Sequence, residues 1–113
     1  MSRSRPSCWA VVIEWSRRAR TDIRDLKAYI AKDSPYYARR FTERIIASVE
    51  KLADFPKIGR TVPEAAGRED VRELIYQGYR ILYLAQPKRV FIVTIIHGSR
   101  DLAAKEVKPW NGL

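Results

Sequence analysis

His97 is the single histidine of the chain, and imidazole is the side chain that takes up and releases a proton near neutral pH. Arg72, Arg80 and Arg100 supply guanidinium forks of the kind that grip a phosphate. Tyr79 and Tyr83 offer rings on which a base stacks, or a phenol that donates a proton. Breaking a phosphodiester requires a group to take a proton, a group to give one, and cations around the developing charge. These residues are the parts such chemistry would use. Each also has a purely structural reading. His97 at a strand end can bond a loop carbonyl. Arg80 shares its strand face with Leu82 and Leu84, which suits an inward arginine tied to Glu73 or Asp101. Arg100-Asp101, beside a glycine, suits a turn held by an ion pair.

The elements that must position these residues follow from periodicity. Trp9–Trp15 is β-branched and aromatic, and reads as a first strand. Ser16 caps a helix expected to run to about Lys32, with Ala19, Ile23, Leu26 and Ile30 on its apolar stripe. Arg17, Arg20, Arg24 and Lys27 fall opposite. Ser34-Pro35 starts a second helix, because proline at the first helical position loses no hydrogen bond. Ala38, Phe41, Ile45, Val49 and Leu52 form its stripe, it should end near Phe55-Pro56, and Arg39, Arg40 and Arg44 fall on its outer face. The short break between the helices predicts a hairpin.

Residues 57 to 70 carry Gly59, Pro63 and Gly67 without periodicity and read as a loop. Three strands follow, Val71–Tyr76, Tyr79–Gln86 and Arg89–His97, with connections short enough to force antiparallel neighbours. Val90–Ile96 is almost continuously apolar, which predicts the central strand. Leu102–Lys108 has room for one or two helical turns. The fold class is therefore α+β: an N-terminal strand, an α-helical hairpin, then a three-stranded antiparallel meander, in the order β-α-α-β-β-β. The expected organisation is an N-terminal extension over residues 1–8, a domain over 9–102 and a tail over 103–113.

Composition bounds the function. A chain of 113 residues fits one domain. Lys and Arg number 22 against 13 acids, a formal charge of +9, which favours nucleic acid, a ribosome or an acidic protein as partner. Solubility alone is the bland alternative, and arginines on a solvated helix face often mean no more. Cys8 stands alone, so the chain can form neither an intramolecular disulfide nor a thiolate metal site. No metal ligand set and no cofactor motif is expected. The apolar stretch from Cys8 is cut short by Glu14, and no run approaches membrane-spanning length. A cytoplasmic protein that does not use a membrane is the expectation.

Several short pieces carry a resemblance. They are Trp15-Ser16 with Ala19, Asp22 and Leu26; Ala38-Arg39-Arg40-Phe41; Phe55-Pro56 through Gly59-Arg60; Val71-Arg72-Glu73-Leu74; Tyr79-Arg80 through Tyr83; and Ile96-His97-Gly98-Ser99-Arg100-Asp101-Leu102. In this order and spacing, over about residues 10–102, the chain resembles the RelE/ParE toxin superfamily of type II toxin–antitoxin, or plasmid stabilisation, systems. The resemblance implies a growth-arresting toxin neutralised by a cognate antitoxin, an acidic protein encoded beside it, in a hetero-oligomeric complex. It implies one of two targets: some members inhibit DNA gyrase, and others cut messenger RNA on the ribosome. For a nuclease, Arg72, Arg80, His97 and Arg100 would be the catalytic candidates. RelE-type nucleases crowd cations along the strand preceding the Tyr-Arg strand, whereas Val71–Tyr76 has one cation and one acid. The ParE-like gyrase inhibitor is therefore the favoured expectation, the mRNA interferase the alternative, and a plain nucleic-acid-binding module the third. Antitoxin is expected between hairpin and sheet or along a sheet edge, with Trp9, Trp15 and Trp110 as candidate anchors.

Overall fold

A computed structural model describes residues 11–65 and 67–97. Nine elements lie in it: β1 (Val12–Trp15), α1 (Arg17–Ala31), α2 (Pro35–Glu50), a 3-10 turn (Lys51–Ala53), β2 (Arg60–Thr61), a second 3-10 turn (Pro63–Ala65), β3 (Val71–Tyr76), β4 (Tyr79–Ala85) and β5 (Arg89–His97). The strands form one sheet in the order β1-β5-β4-β3-β2. β1 runs parallel to β5, and the other pairings are antiparallel.

The α+β class and the element order agree with the sequence, with four differences. The segment read as a loop contributes a two-residue edge strand, β2, opposite Glu73 and Arg72. α2 ends at Glu50, and a tighter turn carries the chain on towards Phe55. The middle of the sheet is β4; β5, expected there, sits between β4 and β1. Both are buried because both have neighbours on each side, so an apolar run marked an interior strand without ranking it. The fourth difference is the parallel register of β1, for which no local signal exists. The expected helical turns at Leu102–Lys108, and Trp9 of the first strand, lie outside the described residues.

Single side chains fix how helices meet sheet. The Ser16 hydroxyl accepts from the Ala19 N–H at 2.9 Å and donates to the Val93 carbonyl at 2.7 Å, so the cap of α1 is also its tether to β5. Asp22 then accepts from the Thr94 hydroxyl and from the Ile95 N–H. Both contacts sit where the β4–β5 register shifts between Leu82 and Tyr83, a bulge that turns Thr94 and Ile95 toward α1. Ser34 caps α2 by accepting from the Tyr37 N–H at 3.1 Å, with Pro35 in the first turn.

The sheet has two unequal faces. Under the helices, Ala19, Phe41, Ile45, Val49 and Leu52 pack on Ile81, Tyr83, Val90, Ile92 and Ile95. Each large aliphatic buried there contributes about 1.5–3 kcal/mol. On the other face Val62 and Ala65 cover Val71, Leu82, Leu84 and Val93. Gln77 and Gly78 both take positive φ, 48° and 85°, joining β3 to β4 by a two-residue turn whose twist suits a hairpin. Among the described residues no helix is long and apolar enough to cross a membrane.

Candidate functional site

On the sheet face away from the helices, β3 and β4 present Glu73 and Arg80, both buried at 1% and 5% exposure. A charge in that position is costly unless fully paired, and it is. The Arg80 Nε donates to one Glu73 oxygen at 2.5 Å, and its two terminal nitrogens donate to both oxygens of Glu64 at 3.1 and 2.9 Å. The second Glu73 oxygen accepts from the Arg60 Nε. Hydrogen bonding from Arg80 holds the Glu64 carboxyl below the usual range. The same two acids, Glu64 first, hold the Arg80 guanidinium well above its ordinary value. Two guanidiniums face two carboxylates, so the cluster carries no formal charge with which to grip a phosphate.

Arg72 points to the opposite face. Its Nη1 donates to the carbonyls of Gly59 at 2.9 Å and Lys57 at 3.4 Å, tying the loop to β3, while its Nε is buried without a hydrogen-bond partner. Gly59 sits so close to the sheet that a Cβ there would lie 2.6 Å from the Glu73 carbonyl oxygen and from the Tyr83 hydroxyl. The Tyr83 hydroxyl accepts from the Gly59 N–H at 2.9 Å, and burial pushes that phenol above its ordinary range. Tyr83 is therefore a core residue and offers no stacking face.

His97 ends β5, exposed, paired with Tyr79 across the ladder. The two rings meet edge-on at 5.2 Å, and Tyr79 packs in turn on Phe41 at 5.7 Å. Phe41 also meets Tyr76 and Tyr37, so one aromatic cluster joins the start of α2 to the β3–β4 turn. Arg72 is paired with Tyr83 and His97 with Tyr79. The two are thus offset by four residues, about 13 Å along β4. Arg80 lies on the other face. The three candidates are not brought together around one point. Arg100, the fourth, lies outside the described residues.

The family follows from the chain as a whole. The model of the ParE toxin of type II toxin–antitoxin systems, parDE, matches residues 13–102. The chain belongs to the ParE toxin family. Within the wider RelE/ParE superfamily it is similar to the toxin RelE2 of Caulobacter vibrioides, 32% identical over 89 residues, which cover 78% of this chain and 96% of that protein. The fold is shared with a chromosomal ParDE toxin–antitoxin system of P. aeruginosa, at a TM-score of 0.64 and 20% identity over 78% of this chain and 96% of that one. It is also shared with the toxin–antitoxin complex RelBE2 of Mycobacterium tuberculosis, at a TM-score of 0.57 and 17% identity over 78% and 98% of the two chains.

Two grooves flank the toxin's sheet. Ile13, Glu14 and Trp15 of β1 with Arg20, Ile23 and Ile46 of the helices enclose about 650 Å³. Trp15 therefore lines the crevice between hairpin and sheet, while Trp9 and Trp110 lie outside the described residues. A second, more apolar groove of about 750 Å³ lies between Val11, Phe55 and Ile58 on one side and Ala85 and Pro87 on the other. Phe55 and Ile58 are exposed apolar residues. In the sequence they stand out only within the resembling segment from Phe55 to Arg60 and not as groove residues, because they follow the last periodic turn and belong to no stripe. Sequence reasoning missed Glu64 as the partner of Arg80, 16 residues away through an aperiodic loop.

Proposed function

We propose that this chain arrests growth in the ParE manner, by binding DNA gyrase without itself performing chemistry on nucleic acid, and that a cognate acidic antitoxin neutralises it in a hetero-oligomeric complex. The observation that carries this reading is the neutral cluster of Arg60, Arg80, Glu64 and Glu73. A nuclease site needs cations left free for the developing negative charge, and here acids of the same chain occupy them. Family membership supports the antitoxin partner, and the ParDE and RelBE2 assemblies give examples of the pairing on this fold. The crevice lined by Trp15 and Ile23, beside the edge strand β1, suits an amphipathic segment of that partner.

The test is a gyrase supercoiling assay run beside a translating-ribosome reaction read by primer extension. Loss of supercoiling with intact message supports the proposal. Cleavage at defined codons with untouched gyrase contradicts it. The interferase reading keeps one observation in its favour, the exposed His97 edge-on to Tyr79. Under that reading His97→Ala abolishes growth arrest, whereas under the gyrase reading it leaves arrest nearly intact.

A further inference from the structure

α2 carries cations of a different kind. Tyr36, Arg39, Arg40, Glu43 and Arg44 line an open, polar groove of about 320 Å³ on its outer face. Neither Arg39 nor Arg44 meets an acid within ion-pair distance among the described residues. Arg40 is positioned by an aromatic ring: its guanidinium lies 5.8 Å from the Tyr36 centroid and its Nη1 donates to the Tyr36 hydroxyl at 3.0 Å. That hydrogen bond, above all, raises the Arg40 pKa. Tyr36 itself is 62% exposed. The next residue, Tyr37, lies about 100° further round the helix; it packs on Phe41 and donates its hydroxyl to the Gln77 side chain at 3.0 Å, so it faces the β3–β4 turn and not this groove.

Three neighbouring guanidiniums with a single carboxylate among them repel one another, and a polyanion relieves that repulsion. Arg40 and Arg44 are four residues apart, about 6 Å along the helix, so they reach successive anionic groups rather than one. We propose that this face of α2 docks single-stranded nucleic acid, with Arg39, Arg40 and Arg44 on the phosphates and the ring of Tyr36 under an unpaired base. The ring decides the class of partner. Charge alone would hold an acidic polypeptide, whereas a strand of unpaired bases uses both the arginines and the exposed Tyr36 ring fixed among them. A duplex keeps its bases stacked inside and offers only its backbone. Unpaired bases have free π-faces, and stacking on aromatic side chains combined with cations along the strand is the usual sequence-tolerant solution. The site stands on the helical layer, apart from Arg80, and does not depend on which target the toxin arrests.

Fluorescence anisotropy with labelled oligothymidylate, at a series of salt concentrations, tests this. Binding should weaken with a log–log salt slope of about −2, from about −0.7 for each of three phosphate contacts on a single strand. The double variant Arg39→Ala/Arg44→Ala should bring the slope to about −0.7. Tyr36→Leu should weaken binding about tenfold or more with the slope unchanged, because stacking involves no counterions. Absence of binding at low salt overturns the proposal. So does binding whose slope ignores the double variant. Polyglutamate or duplex competing as well as unlabelled oligothymidylate, with Tyr36→Leu neutral, also overturns it and assigns the face to an acidic protein or to unspecific charge.

Discussion

On the sheet and in the loop leading into it, Arg60, Arg68, Arg80 and Arg89 each meet a carboxylate of the same chain, and Arg72 meets two backbone carbonyls. On α2, Arg39 and Arg44 meet no acid among the described residues, and Arg40 rests on a tyrosine. Burial accounts for Arg80, whereas Arg60, Arg68 and Arg89 are partly exposed and pair because the fold sets an acid beside each of them. Arg80 lies inside, where an unpaired guanidinium would be very costly, so the fold had to supply Glu73 and Glu64. The helix arginines stand in water, where an ion pair contributes little. Their charge remains available to something outside. A formal +9 is thus not one property but two: cations that hold the sheet, and cations that hold nothing within the described chain.

Substitutions should separate the two populations. The largest effect is expected at Glu73. Glu73→Ala strips Arg80 and Arg60 of their shared acid and should cost about 3–5 kcal/mol in chemical denaturation. A cost near that of a surface ion pair would mean that the cluster is ornamental. Gly59→Ala comes next, at about 1–3 kcal/mol, since its Cβ must displace the Glu73 carbonyl or the Tyr83 hydroxyl.

Glu64→Gln should show its effect through pH. The native carboxyl is lowered by its hydrogen bonds from Arg80. Its contribution is therefore complete above the ordinary carboxylate range and fades as pH falls through the lowered value. Melting curves of wild type and variant should differ at neutral pH by about 1 kcal/mol, with allowance for partial solvent screening, and converge in acid. A gap that widens in acid would reverse the sign of the argument. The smallest effect is expected on the helix: Arg44→Ala should change stability by less than about 0.5 kcal/mol in the same melts.

The helical hairpin and the strands were legible because their signals are local. Ser16 and Ser34-Pro35 mark helix starts, and period-two alternation put Arg72 and Glu73 on opposite faces, where they lie. The inward reading of Arg80 was legible as one of two choices, and its Glu73 partner was named among the possibilities. What the sequence could not supply were contacts made across long separations. The parallel pairing of β1 with β5 joins residues more than seventy positions apart. β2 is two residues long and needs β3 beside it to exist. Glu64 reaches Arg80 only because a short turn folds back over the sheet. At α2 the spacing of Tyr36 and Arg40, one helical turn, was present in the sequence, but the rings that join α2 to the β3–β4 turn come from separate elements.

The division of the arginines can be measured directly by limited modification with phenylglyoxal and peptide mass mapping of the native chain. Arg39 and Arg44 should react at nearly the rate of free arginine, while Arg80 and Arg72 stay protected until the chain is denatured. Modification of Arg80 as fast as that of Arg44 in the native chain would contradict the account.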